Sequence, residues 1–499
     1  MSFSSRRDDA TVEEAAEASS LLRWGVYWLL IAIAIGGVSG RILAVNSVDF
    51  VRLEKFLKDS QKRPDWQKQR PFLSANDRSR WATIRSLVEH GTYAIDEIVA
   101  EPNWDTIDVV KHDDQGRAAP KPDEGHIYSS KPTLLPTIMA GEYWLIVKLT
   151  GKTLATNPYA IGRAMLITFN VLPLMIYFIL WGKVADRLGT TDWGRIFTMA
   201  CATLGTFLTT FAVVLNNHLP AAVTAMATLY LALRITQDGE RRAWIFILTG
   251  LCAALTAANE LPALSLLAAV GALLLWQAPR PTLLAFTPAA LLVAVAAFGT
   301  NYIAHHRLTT PYAHKYTDGD NWYAFQYIRD GKVRDSYWGK IQGRSEIDKG
   351  EPSVGRYALH ALVGHHGIFS LTPVWLLSVV GLGILLFDRE AEWRQWGLLI
   401  AAVSVVCLTF YIFIVKMEER NYGGSTSGFR WVFWMAPLWL TAMLPAADWM
   451  SRRRGWQILA AVLLAASVLS VSYPTWNPWT HPWPYDLMES MGALAPPTP

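Results

Sequence analysis

The sequence predicts an all-α integral membrane protein, with about eleven transmembrane helices and two large outward loops. Three observations predict it. Hydrophobic residues make up 52% of the 499 and charged residues only 17%. The apolar residues gather in long blocks, most of which lack the polar face of a soluble amphipathic helix. Arginine and lysine mark alternate connections between those blocks, as the positive-inside rule expects of a polytopic chain.

Residues 1–23 are polar, hold both signs of charge and are expected to be a cytoplasmic N-terminal segment. The apolar run from Trp24 is longer than a signal-peptide core and no A-x-A site follows it, so it is expected as a retained first span at 24–44. Ten more spans are expected at roughly 160–181, 196–215, 219–235, 244–258, 261–277, 283–303, 367–387, 396–415, 431–447 and 456–473. The fifth and sixth are short and fit a helical hairpin that stops short of full depth on one side. The polytopic transmembrane domain is therefore bounded at 24–473, and 474–499 form an outward tail.

Arg6, Arg7 and Arg23 precede the first span, and Lys183, Arg187 and Arg195 lie between the second and third. Arg234, Arg241 and Arg242, then Arg280, Arg389 and Arg394, and Arg452, Arg453 and Arg454 mark the later inward turns. This predicts a multi-pass protein of the cell membrane with a cytoplasmic N-terminus and an outward C-terminus. The long loops at about 46–159 and 304–366 then face outward. One short outward loop breaks the pattern, because it holds Lys416, Arg420 and Arg430. The net charge of +4 is small and gives no sign of a nucleic-acid partner. Cys201, Cys252 and Cys407 lie in apolar runs, which argues against a disulfide framework or a metal cluster.

The unusual polar residues fall on the expected outward side: Asn76 and Asp77, Lys131, Asn216 to His218, Asn259 and Glu260, His365 and His366, and Arg420, Asn421 and Arg430. Singly, such groups snorkel to the interface. Together they predict one shared aqueous cavity. In the first loop, SRWATIRSLVEH (79–90) has Trp81, Ile84, Leu87 and Val88 on one helical face, and Gly91 ends it. Ser74-Ala-Asn-Asp77 stands at or near its N-cap, which gives Asp77 a structural role as well. A second amphipathic segment, 134–149, is expected to lie at the membrane interface. Asp105, Asp108, Asp113 and Asp114 lie in a stretch rich in Asp, Gly and Pro and are expected as solvated loop residues.

The order of these features resembles the GT-C superfamily of polytopic glycosyltransferases. The likeness is carried by NDRSRWATIRSLVEHGTYAID, YSSKPTLLPTIMAGEYWL, NPYAIGRAMLITFNVL, HHGIFSLTPVWLL from His365 and NYGGSTSGFRWVFWMAPLWL from Asn421. It is most similar to the branch of protein O-mannosyltransferases and the aminoarabinose transferase of lipid A, glycosyltransferase family 39-like. Lys131-Pro132-Thr133-Leu134 stands where that branch has a KPP segment. Members often show Asp-Glu at the catalytic position, whereas here Asn76-Asp77 precedes Arg78, so the role passes to Asp77 alone.

The resemblance implies a polyprenyl-phosphate-linked sugar as donor and transfer to an acceptor hydroxyl or amine on the outward face. Asp77 is the implied catalytic base. Lys131, Arg420 and Arg430 are expected to bind the phosphate, which would explain the charge exception. Lys416 and Arg420 also fit simple surface pairs with Glu418 and Glu419. His218, Glu260, His365 and His366 are expected to line the sugar pocket. A phosphate leaving group needs no proton, so one carboxylate with basic residues is a sufficient set. No D-x-D stands at Asp77, and the His and Glu spacing carries no zinc signature, so no metal is indicated. The expected partners are membrane lipid, the lipid-linked donor, and an acceptor lipid, glycan or protein. The tail YPTWNPWTHPWPY (473–485) fits an aromatic interface anchor or a sugar-stacking platform. A lipid flippase or transporter, and a non-catalytic scaffold, are the competing readings. The first predicts internal repeats and mid-span charges, neither of which is evident in the sequence.

Overall fold

In the computed structural model the described residues are 3–44, 72, 74–329, 331–474 and 477–494, with side chains from residue 18 onward. The expected loop residues 46–71 and the end of the tail from 495 lie outside them.

The chain is mostly helical. We number the main helices α1 (Phe3–Ala44), α2 (Ala75–Glu89), α3 (Leu134–Thr150), α4 (Pro158–Leu188), α5 (Asp192–Leu204), α6 (His218–Thr236), α7 (Ala243–Asn259), α8 (Leu264–Gln277), α9 (Pro279–His305), α10 (Trp375–Leu386), α11 (Ala391–Ile414), α12 (Ala436–Met450) and α13 (Arg454–Ser472). Among the described residues, six stretches are long and apolar enough to cross a membrane: Ala18–Ala44 of α1, together with α4, α6, α9, α11 and α13. Helices α7, α10 and the stretch Leu261–Gln277 are apolar but shorter. The chain is thus a multi-pass membrane protein.

Three expected spans are interrupted. The run 196–215 ends its helix at Leu204, is capped by Gly205 and resumes only as the turn Leu208–Phe211. The run 367–387 is split into Ile368–Leu371 and α10, with Pro373 between them lacking the amide proton that a continuous helix needs. The run 431–447 starts as a tighter 3₁₀ turn, Arg430–Met435, before α12. Hydropathy averages over such breaks, which is why the sequence does not reveal them.

The break after α5 matters most, because its non-helical backbone is buried and must have its polar groups satisfied by protein. Asn170, fully buried in α4, donates to the carbonyls of Ala212 and Val214, both at 2.9 Å. Asn216 donates to Phe211 and Val214 (2.8 and 3.0 Å) and accepts from the Leu219 amide at 3.0 Å. These bonds fix the chain that delivers Asn217 and His218 to the start of α6.

Helix α6 packs on α7, α7 on α9, and α12 on both α10 and α5. Close approach is set by glycine. A Cβ on Gly381 of α10 would sit 1.9 Å from the Ala442 carbonyl of α12, and one on Gly250 of α7 would sit 2.3 Å from the Phe286 carbonyl. One end of the bundle is tied by ion pairs. Arg23 reaches Asp186 at 2.6 Å and Asp192 at 2.7 Å, Asp448 accepts from the Thr190 and Thr191 amides, and Arg187 pairs with Asp238.

The other polar region is built from the long loops. Strands β1 (Val109–His112) and β2 (His126–Ser129) pair antiparallel, as do β3 (Gln326–Arg329) and β4 (Lys332–Asp335). Helix α2 was expected to be amphipathic, yet Asn76 through Ser86 are all buried. Its arginines are accommodated by bonding: Arg78 donates to Phe72 and Asp105 carbonyls, both at 2.8 Å, and Arg85 to Glu89 and Glu101. Helix α3 does leave Ile138, Trp144, Leu145 and Leu149 exposed, as an interfacial helix would.

Candidate functional site

The first loop, the α5–α6 break, the α7 end and the segment 410–431 converge on one cavity of about 1480 Å³. One side is apolar and lined by small side chains of α7 and α9, among them Ala254, Ala258, Val293 and Ala297. The other side is polar and holds Arg80, Lys131, Arg430, Asp108, His218 and Glu260.

On the polar wall Arg80 and Lys131 are buried and Arg430 is partly buried. Arg80 is 4% exposed; its Nε donates to Asn217 Oδ1 at 2.7 Å and its Nη1 to the Asn76 carbonyl at 2.8 Å. Asn217 in turn donates to Asn259 Oδ1 at 3.1 Å. Arg430 donates from Nε to the Gly423 carbonyl at 3.1 Å and from Nη1 to His218 Nε2 at 2.8 Å, and it lies 5.1 Å over the Trp479 ring. Among the described residues, the hydrogen bonds of both guanidiniums end on neutral acceptors. Burial lowers both below the ordinary arginine range. A buried cation without an anionic hydrogen-bond partner is costly, and a bound anion would relieve that cost.

Lys131 and Asp108 form a buried pair, 3.2 Å apart. The hairpin makes it: β1 and β2 pair Val109 with Ser129, and the Ser130 amide donates to the Asp108 carbonyl, which brings the next residues alongside each other. Burial pulls the Lys131 ammonium down to about 8, against the pull of Asp108. Burial pushes the Asp108 carboxyl up, but Lys131, Arg430 and Arg80 more than reverse this and hold it below the usual range. Asp108 was expected in solvent; instead it is 8% exposed and in the cavity wall.

Glu260 caps the end of α7. Its Oε1 lies 2.5 Å from His218 Nδ1, and its Oε2 accepts from the Tyr411 hydroxyl at 3.2 Å. The seat of Arg430 is a strained turn: Tyr422 is left-handed at φ 58°, Gly423 has φ 99°, and a Cβ on Gly423 would sit 2.9 Å from Arg430 Nε.

Asp77 is the third residue of α2. Its amide donates to Ser74 Oγ at 3.2 Å, so Ser74 is the N-cap, and Asp77 Oδ1 accepts from the Leu215 amide at 3.2 Å. Its neighbours Asn76 and Arg80 are among the residues lining the cavity and Asp77 is not. Arg420 lies away from the wall, donating to the Pro352 carbonyl at 3.2 Å, because Gly350 and Glu351 pack against its segment. The expected surface pairing with Glu418 and Glu419 is replaced: Glu419 bonds Lys315 at 2.5 Å, and that ammonium lies 4.3 Å over Trp338.

His365 and His366 do not line the cavity. Their Nδ1 atoms are 2.5 Å apart, inside a ring cluster with His360, His481, Tyr422 and Tyr485. Burial among these rings, with the neighbouring imidazoles adding to it, pushes His365 down to about 3 and His366 well below its usual range. Among the described residues no group of three or more His, Cys, Asp or Glu is set to hold a metal ion. From the tail, Asn477, Trp479, Thr480 and His481 join the cavity wall, while Trp483 Nε1 bonds Ser470 at 2.9 Å.

Sequence reasoning passed over Arg80 and Lys315 and took Asp108 for a solvated loop residue. The Asn76–Arg80 spacing of four on a helix was a signal for Arg80. The β-branched and aromatic residues in DVVKH and HIYSSK, which favour strands, were a signal for Asp108. Nothing in the sequence pointed to Lys315. No protein-family model matches this chain, and no curated protein does.

Proposed function

We propose that this chain is a membrane glycosyltransferase of GT-C type, which moves a sugar from a polyprenyl-phosphate donor to an acceptor hydroxyl or amine. The observation that carries the proposal is the cavity itself, whose lining joins an apolar patch of α7 and α9 with three cations, Arg80 and Lys131 buried and Arg430 partly buried. Arg80, Lys131 and Arg430 are a set that a phosphate diester would satisfy. The apolar wall suits the isoprenoid chain. As the bond to the sugar breaks, charge grows on the phosphate, and fixed cations in a water-poor site stabilise it.

Two groups are candidates for the base: Asp77 in the first turn of α2, beside the wall residues Asn76 and Arg80, and His218, in contact with Glu260 in the wall itself. The charge pattern of the short loops supports a cytoplasmic N-terminus, about eleven spans and a reaction on the outward face. The donor and acceptor are the proposed partners.

The test is reconstitution in liposomes with radiolabelled polyprenyl-phosphate sugars and candidate acceptors. The proposal expects label to appear in the acceptor, and Asp77→Asn is compared with wild type. Lipid crossing the bilayer without a new glycosidic bond would establish a flippase instead.

A further inference from the structure

The His218, Glu260 and Arg430 side chains form a chain of contacts whose proton positions follow from chemistry alone. Arginine has only donors. Arg430 Nη1 lies 2.8 Å from His218 Nε2, so that nitrogen accepts and carries no proton. The ring proton of neutral His218 is therefore on Nδ1, 2.5 Å from Glu260 Oε1. This tautomer leaves a lone pair on Nε2, as a general base needs, and the Glu260 carboxylate touches the Nδ1 side of the ring as a close charge contact without an aligned hydrogen bond. Tyr411 holds the other oxygen of Glu260, which fixes the carboxylate. Asp77, by contrast, has its Oδ1 turned to the Leu215 amide.

The lone pair is covered by Arg430, which belongs to the proposed phosphate site. Among the described residues, Arg430 is otherwise held by the Gly423 carbonyl and the Trp479 face, and both are neutral. An entering phosphate competes for its Nη1 with a doubly charge-assisted bond.

Resting on the glycosyltransferase reading, we propose that His218 takes the acceptor's proton, that Glu260 positions it, and that Arg430 covers its Nε2 until the donor phosphate draws the guanidinium away. In the step, the acceptor oxygen bonds to the anomeric carbon while the bond from that carbon to the phosphate oxygen breaks. That electron pair leaves on the phosphate, and the acceptor's proton passes to His218 Nε2. The monoanionic diester becomes a dianionic monoester and the imidazole a cation beside Glu260, so charge balances. The donor must bind before the acceptor is activated.

Two measurements test this. The first is transfer kinetics in proteoliposomes. His218→Gln should lower kcat about 100-fold with donor KM within about threefold of wild type, and should lose the acid limb of the pH profile. Glu260→Gln should lower kcat about tenfold at similar KM. If His218→Gln keeps both kcat and the acid limb while Asp77→Asn loses activity, the proposal is overturned and Asp77 is the base. The second needs no turnover: diethyl pyrocarbonate acylates an unprotonated, uncovered imidazole nitrogen, and mass spectrometry reads the site. His218 should be acylated at least about fivefold faster in Arg430→Met than in wild type. Equal rates would remove the gate. Absence of transfer by the wild-type protein would sink the glycosyltransferase reading itself and leave the acylation result to stand alone.

Discussion

Asp108→Ala should destabilise the protein in a way that depends on pH, and the double variant should reverse most of the loss. Asp108 is the anion within 3.2 Å of the Lys131 ammonium, and both side chains are buried. Lys131 stands at about 8 against an ordinary 10.5 even with that partner, which corresponds to roughly 3 kcal/mol of strain on the charged form. Because the folded state gives up this proton before the unfolded state does, wild-type stability from this group rises as pH climbs from about 8 to about 10.5. Without Asp108 the charged ammonium is buried with no partner, a loss of about 3–5 kcal/mol. That loss applies at pH 6.5, where wild-type Lys131 is protonated. At pH 9 Lys131 is largely neutral in both proteins, and the difference should shrink to about 1 kcal/mol, the worth of a hydrogen bond. Asp108→Ala with Lys131→Met removes both charges and should return to within about 1 kcal/mol of wild type at either pH. Unfolding in detergent micelles, followed by thermal inactivation of monodispersity at the two pH values, reads these differences. An equal loss at pH 6.5 and 9, or a double variant no better than the single one, would refute the reasoning.

Three other predictions follow from packing and burial. Ser74→Ala removes the N-cap of α2 and should cost about 1 kcal/mol in the same unfolding assay, with no loss expected if the Asp77 amide is capped by another group. Gly381→Ala drives a methyl into the Ala442 carbonyl and should cost at least about 1–3 kcal/mol; a wild-type melting profile would show that α10 and α12 are not so close. Burial holds His365 near 3 while the unfolded chain protonates near 6.5, so stability should fall as pH drops below 6.5, and His365→Gln should flatten that slope.

The apolar blocks were legible because lipid leaves a helix no choice but to satisfy its own backbone, so length and composition report α4, α6, α9, α11 and α13 directly. The breaks were not. Gly205 and Pro373 sit inside apolar runs, and only the buried Asn170 and Asn216 side chains reveal that the chain around residue 212 leaves the helix. At the site, Lys131, His218, Glu260 and Arg430 stood out as ionisable residues at the ends of apolar segments, and they share the cavity wall. Asp108 was hidden by its polar surroundings in sequence, since only the β1–β2 register shows that it opposes Lys131. His365 and His366 illustrate the reverse: a conspicuous pair whose neighbours, Tyr422, His481 and Tyr485, come from segments far along the chain and turn it into packing.

In the proposed reaction Arg80, Lys131 and Arg430 hold the phosphate of a lipid-linked sugar during transfer. The most direct measurement is the transfer rate of radiolabelled sugar from polyprenyl phosphate by the reconstituted protein, wild type against Arg80→Met and Arg430→Met. Each lost charge-assisted contact to the departing phosphate should lower kcat/KM about 100-fold, near 2.7 kcal/mol of transition-state stabilisation. Transfer by either variant at the wild-type rate would contradict the account.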